Sequence, residues 1–166
     1  EWECVLRETD CMKYFLSQQE LYRRAFFGKG DPAPTDPNAL TRLVISLTTA
    51  EPPRSPTTGN EEYTVVVNGS GIFVSAYDTY GVSRALATVA QLIEEAPGEE
   101  YVRGRYSVVP CQIEDGPAYP FRSLMVDPAR HFLPLSTLRE EVNALALAKM
   151  NVLHVHLSDM GSTTFV

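Results

Sequence analysis

The sequence predicts a fold of mixed class, α+β and then α/β: a small antiparallel-sheet α/β domain over residues 1–115, then a β-α-β unit over residues 116–166. Three observations carry this. Two strand-like runs flank Asn68-Gly69-Ser70-Gly71, the grammar of a tight hairpin. Residues 11–27 and 79–95 repeat apolar side chains every three or four positions, the spacing of one helical face. Beyond Pro120 a short apolar strand, a helix and a second apolar strand follow in turn, the order that builds parallel sheets.

Along the first part, residues 11–27 read as a helix with Leu16, Leu21, Tyr22 and Ala25 near one face and Gly28-Lys29-Gly30 as its stop. The proline-bearing stretches 31–38 and 51–60 are loops. Between them residues 41–49 (TRLVISLTT) alternate apolar and polar side chains, as a half-buried strand does. Residues 62–67 and 72–76 form the hairpin. A second helix over 79–95 repeats Val82, Leu86, Val89, Leu92 and Ile93, and Pro97-Gly98 ends it. Residues 106–109 and 111–113 are strand pieces parted by Pro110, and 114–120 (EDGPAYP) form a linker.

In the second part, residues 122–126 and 152–157 are the strands. The helix between them, 137–150, carries Leu138, Val142, Leu145 and Ala146 on one stripe. Thr137 and Glu140 have the spacing of a capping box, and Lys149 suits the negative end of the helix. Both strands end on polar residues, 127–131 and 156–159, at the edge where parallel sheets place their sites.

Composition narrows the function. Hydrophobic residues make up 44% of the chain, enough for a buried core, and no apolar run is long enough for a membrane span. A net charge of −7 disfavours nucleic acid as a partner, since the short basic clusters Arg23-Arg24-Lys29 and Arg103-Arg105 lack interleaved aromatics. Three cysteines (Cys4, Cys11 and Cys111) leave one thiol unpaired within the chain. Asn68-Gly69-Ser70 is a glycosylation sequon, so Asn68 is a candidate acceptor and the setting is expected to be lysosomal or secreted.

Arg130 follows the first strand of the second part; its rigid fork of donors suits sugar hydroxyls or a carboxylate, and it could equally pair with Asp127 as a surface arginine. His154 and His156 sit two apart on one strand and so share a face, His154 lying deeper. Asp159 follows within one turn, so a carboxylate-oriented His156 is one reading and a packed histidine the other. A metal hydrolase built on His154 and His156 is a remote alternative. Zinc needs three protein ligands, and only His131 and Asp159 stand near to complete the set. No metal or cofactor is expected.

Residues 119–122 (YPFR), 127–134 (DPARHFLP), 149–151 (KMN) and 154–159 (HVHLSD) together resemble the opening of the catalytic domain of glycoside hydrolase family 20, the β-N-acetylhexosaminidases. The stretches LYRRAFFGKG and YGVSRALATVAQLI also look like the non-catalytic domain of its animal-type members. The resemblance implies that residues 116–166 begin a TIM (β/α)8 barrel whose remainder lies in the same precursor or a companion chain. It implies that Arg130 grips hydroxyls of a terminal N-acetylhexosamine and that His156 and Asp159 belong to the supporting polar network. The catalytic Asp-Glu pair is then expected on a later strand, with no catalytic residue in this chain. The partners implied are N-acetylhexosamine-terminated glycans, with a homodimer or heterodimer left open. Departures are Ser123 for a glycine, Val155 for a tryptophan, and Met160-Gly161-Ser162 where a second acidic residue and Q-S-F-P are usual. Those departures leave a non-catalytic, glycan-binding or scaffold relative as the alternative.

Overall fold

A computed structural model describes residues 2–4, 22, 26, 40–49, 55, 57–95, 106–159 and 162–163. Its first part is a five-stranded sheet in the order β1 (Trp2–Cys4), β2 (Leu43–Leu47), β4 (Gly71–Ala76), β3 (Tyr63–Asn68) and β7 (Cys111–Asp115). The sheet is mixed, which corrects the expected antiparallel one: β1, β2 and β4 run parallel, while β3 is antiparallel to both β4 and β7. Sequence neighbours β3 and β4 pair as a hairpin, and β4 then slots in beside β2, so the chain's return stroke aligns with β2. The burial of β2 shows the consequence. Leu43, Val44 and Ile45 are all buried in succession, the mark of an interior parallel strand covered on both faces.

The hairpin turns through Gly69-Ser70, with Asn68 opposite Gly71. Asn68 Oδ1 accepts the Ser70 amide at 2.8 Å, which closes the turn. Gly71 takes a φ of 148°, and a Cβ there would stand 2.7 Å from the Arg42 carbonyl oxygen. Both facts demand glycine.

One sheet face carries Leu43, Ile45, Tyr63, Val65, Val67, Ile72 and Val74, and the helix α1 (Thr79–Leu92) covers it with Val82, Ala85, Leu86 and Val89. Burying each large aliphatic side chain contributes roughly 2–3 kcal/mol. Tyr22 and Phe26 join the same core; both are helical, and the rest of the helix expected over 11–27 lies outside the described residues. Asp78 caps α1, its Oδ1 accepting the amides of Tyr80 and Gly81. The helix ends at Leu92 rather than 95, because Ile93 turns extended and Glu94–Glu95 (β5) pair with Tyr106–Ser107 (β6). The expected linker is shorter too, since Glu114 and Asp115 are the last residues of β7.

The second part is a parallel pair, β8 (Ser123–Val126) and β9 (Val152–Val155), linked through the helix α2 (Leu135–Leu147). That helix begins two residues before the expected Thr137. Pro134 supplies the N-cap with a fixed φ of −64° and no side-chain hydrogen bond, so Thr137 falls inside the first turn and the expected capping box does not form. Lys149 lies beyond the helix end, not in its last turn, in left-handed backbone with φ 58°. There the amides of Lys149 and Met150 close the helix onto the carbonyls of Ala146 and Leu145, a Schellman ending. Ser158–Asp159 (β10) and Ser162–Thr163 (β11) form a short antiparallel pair after β9.

Candidate active site

The parallel register Ser123↔Val152 through Val126↔Val155 brings the ends of β8 and β9 level, and the His156 amide continues the ladder onto the Val126 carbonyl at 2.9 Å. Immediately past Val126 the chain makes a turn in which Pro128 and Ala129 are buried. Asp127 shapes it, accepting the Arg130 amide on Oδ1 at 3.1 Å, while its carbonyl receives the His131 amide at 3.4 Å. With the turn anchored at Pro128 and Ala129, the Arg130 side chain projects outward, 72% exposed.

Arg130 is the hub of the strand ends. Its Nη2 meets Asp159 Oδ2 at 2.6 Å, and its Nε lies 3.8 Å from Asp127 Oδ2. Both readings of this arginine coexist: it pairs with Asp127, and it also reaches across to the carboxylate after the neighbouring strand. The short contact to Asp159 orients the guanidinium, Asp127 adds only a longer ion pair, and the remaining N–H groups are directed outward. Among the described residues nothing engages Nη1. An arrangement of this kind suits a neutral polyhydroxyl ligand, whose oxygens can accept from the fork without displacing the carboxylates.

Of the residues singled out from sequence, the structure thus joins Arg130 and Asp159. His156 is half-buried at the end of β9, but Asp159 pairs with Arg130, not with the His156 imidazole, which makes no hydrogen bond among the described residues. His154, expected to lie packed in the strand, is exposed, opposite Met125, itself 56% exposed, so this strand face is open. His154, His156, His131 and Asp159 do not converge on one point, and among the described residues no three His, Cys, Asp or Glu side chains do. Asn68 stands exposed at the hairpin, accessible as a sequon requires. Among the described residues no helix is long and apolar enough to cross a membrane.

The opposite ends of β8 and β9 carry a polar cluster that sequence reasoning missed. Glu61, 2% exposed, accepts Arg84 on Oε1 at 2.7 Å and Arg122 Nη2 on Oε2 at 2.5 Å. Beside it the Tyr63 hydroxyl donates to Asp115 Oδ2 at 2.5 Å while receiving Lys149 Nζ at 2.6 Å; Thr88 Oγ1, 2.6 Å away, then donates to it as well. Burial, with the bond to Asp115, pushes the Tyr63 phenol above its ordinary range, and the bond from Tyr63, with Lys149, draws Asp115 below the usual carboxylate value. The available signal was Arg84, a charged residue beside the apolar stripe of Val82, Leu86 and Val89. A cleft of about 570 Å³, lined by Tyr77, Glu62, Thr64 and Glu114 among others, opens next to this cluster and away from Arg130.

Comparison with known proteins bears on the strand ends directly. Residues 119–165 match the family model of the Glycosyl hydrolase family 20 catalytic domain. The β subunit of β-hexosaminidase from Felis catus is 35% identical over 151 residues, 85% of this chain and 28% of that protein. The α subunit from Mus musculus is 32% identical over 148 residues, 85% of this chain and 27% of that protein. The X-ray structure of the Flavobacterium johnsoniae chitobiase superposes with a TM-score of 0.71 at 25% identity, over 96% of this chain and 24% of that one. The chain therefore spans about a quarter of the length of the relatives it matches. Over residues 119–165, the segment that bears Arg130, His156 and Asp159, the chain is thus similar to the catalytic domain of glycosyl hydrolase family 20.

Proposed function

We propose that this chain is the front section of a β-N-acetylhexosaminidase that removes terminal non-reducing N-acetylhexosamine residues. The observation that carries the reading is the Arg130–Asp159 pair, 2.6 Å apart at the ends of two parallel strands inside the matched segment. On this reading residues 1–115 are the non-catalytic domain and 116–166 open the catalytic (β/α)8 barrel, with the rest of the barrel in the same precursor or a companion chain. The exposed side chains of Leu124, Met125, Val142 and Leu157 support that division, since they offer apolar surface for later barrel elements to cover.

In the mechanism, Arg130 donates to ring hydroxyls of the terminal sugar, and Asp159 holds the guanidinium in the orientation that makes this possible. The acetamido oxygen of the sugar attacks its own anomeric carbon. As the glycosidic bond breaks, a glutamic acid from the downstream barrel protonates the leaving oxygen, while an aspartate beside it orients the acetamido group. Water then opens the bicyclic intermediate with net retention. His156 supports the pocket wall at the strand end. Glycans ending in N-acetylhexosamine are the substrates, and an accessible Asn68 fits a lysosomal or secreted glycoprotein.

Hydrolysis of an aryl N-acetyl-β-glucosaminide beside the matching aryl β-glucoside, by the complete protein, tests this. Substrate assistance requires turnover of the first and none of the second, which lacks the internal nucleophile. Equal rates on both would overturn the mechanism. Binding of N-acetylglucosamine with no turnover of either would leave the glycan-binding alternative, for which the altered run Met160-Gly161-Ser162 speaks.

A further inference from the structure

The left-handed backbone of Lys149 is the starting point. At a helix C-terminus that position favours glycine, because a Cβ in left-handed backbone is strained. Here a lysine occupies it, with φ 58°. Its ammonium donates to the Tyr63 hydroxyl at 2.6 Å and to Asp115 Oδ2 at 3.1 Å, and lies 5.0 Å from the centre of the Tyr63 ring. Its carbonyl accepts Arg122 Nε at 2.8 Å. Arg122 spends its other donors on the Tyr119 carbonyl at 2.6 Å and on the buried Glu61. Asn151 completes the set, receiving the Arg122 amide at 3.0 Å on Oδ1 and donating to the Pro120 carbonyl at 2.8 Å.

These contacts have one geometric effect. Arg122 directly precedes β8, Asn151 directly precedes β9 and Lys149 stands three residues before it, so the starting ends of both strands are fastened to Tyr63 of β3, to Asp115 of β7 and to Glu61 just before β3. Each four-residue strand then reaches about 13 Å to its other end, where Arg130 and Asp159 stand. A side chain fixed only at the far end of so short a strand inherits any slip or tilt at the near end.

We infer that Lys149 and Arg122 are positioning residues: by locking onto Tyr63 and Asp115 of the first sheet and onto Glu61 just before it, they set the register and tilt of β8 and β9 and so place Arg130 for the sugar. The first domain thereby becomes part of the catalytic apparatus without touching substrate, and a glycine at this position, though unstrained, could not make the lock. This rests on the hexosaminidase reading for its kinetic consequence, though not for the lock itself.

The test uses the complete protein with Lys149→Gly, Tyr63→Phe and the pair combined. Lys149→Gly relieves the backbone strain, so a role limited to ending the helix leaves it as well folded and as active as the parent. The lock instead requires a loss in kcat/KM on the aryl N-acetyl-β-glucosaminide on the order of 10- to 100-fold, carried by a raised KM as Arg130 shifts. A protein that merely unfolds more readily loses active fraction and keeps its KM. Tyr63→Phe should lose by a similar factor, and the double variant should lose no more than the larger single one, because both cut the same lock. Unchanged KM in Lys149→Gly, or losses that multiply in the double variant, would overturn the inference. Hydrogen exchange at residues 123–126 reads the lock separately. Faster exchange in Lys149→Gly supports it even if the parent hydrolyses nothing, an outcome that would sink the function and not the lock, whereas unchanged exchange counts against the lock whatever the activity.

Discussion

Arg130 stands beside two carboxylates with most of its side chain in solvent, so part of its donor fork is open to a ligand. Arg130→Ala in the complete protein should lower kcat/KM on N-acetylhexosaminides by on the order of 100-fold, the scale of roughly 3 kcal/mol for charged hydrogen bonds. Arg130→Lys should recover little, because a single ammonium cannot span Asp127, Asp159 and a sugar at once. Steady-state kinetics decides this; near-parent values in either variant would remove Arg130 from the site. At this scale Arg130 and Asp159 were readable from sequence because both follow a strand whose end is identifiable. Their pairing with each other was not, nor was the exposure of His154, since both depend on how the two strand ends face one another. Glu61 and Arg122 are 61 positions apart, and nothing local in Glu61-Glu62 announces a buried carboxylate.

Elements were legible where the local chemistry has one solution. Asn68-Gly69-Ser70-Gly71 allows little but a two-residue turn, and the apolar period over 79–92 allows little but a helix. The parallel alignment of β2 was hidden, because alternation in TRLVISLTT fits either pairing and only the position of β4 beside β2 decides it. The start of α2 was hidden for a similar reason: Pro134 opens the helix before the apparent capping pair. Asp78 is the more consequential cap. It is 2% exposed and accepts the amides of Tyr80 and Gly81 on Oδ1 and that of Asn60 on Oδ2. Asp78→Ala should therefore destabilise the fold by about 1–2 kcal/mol, with only part of it restored by Asp78→Asn, which keeps one acceptor for the helix amides but turns an NH2 donor toward the Asn60 amide. Urea midpoints of the two variants measure this, and equal midpoints for parent and Asp78→Ala would show that the cap contributes nothing.

At the scale of the whole molecule, the five-stranded sheet and the β8–β9 pair are fastened through charged and phenolic groups, and that fastening is pH-dependent. The hydrogen bond from Tyr63, followed by Lys149, holds Asp115 below its ordinary 3.8. A carboxylate with a lowered folded-state value adds stability above its unfolded value and loses it as pH falls through the lower one. The stability gap between parent and Asp115→Asn should thus be present at neutral pH and close as pH drops below 3.8. With Asp115 45% exposed the gap should be modest, under about 1 kcal/mol. A gap that persists in acid would mean the carboxylate is not what Lys149 and Tyr63 hold. The sequence pattern changes near Pro120, between β7 and β8, whereas the contacts that cross this point come from Glu61, Tyr63 and Asp115, which look like ordinary residues until the fold brings them to Arg122 and Lys149.

The most direct measurement is a crystal structure of the complete protein with N-acetylglucosamine bound. The expected result is a sugar whose hydroxyls lie within hydrogen-bond distance of the Arg130 guanidinium, still braced by Asp159, at the shared end of β8 and β9. A sugar bound elsewhere, with Arg130 facing only Asp127 and Asp159, would contradict the assignment of this strand end as the substrate site.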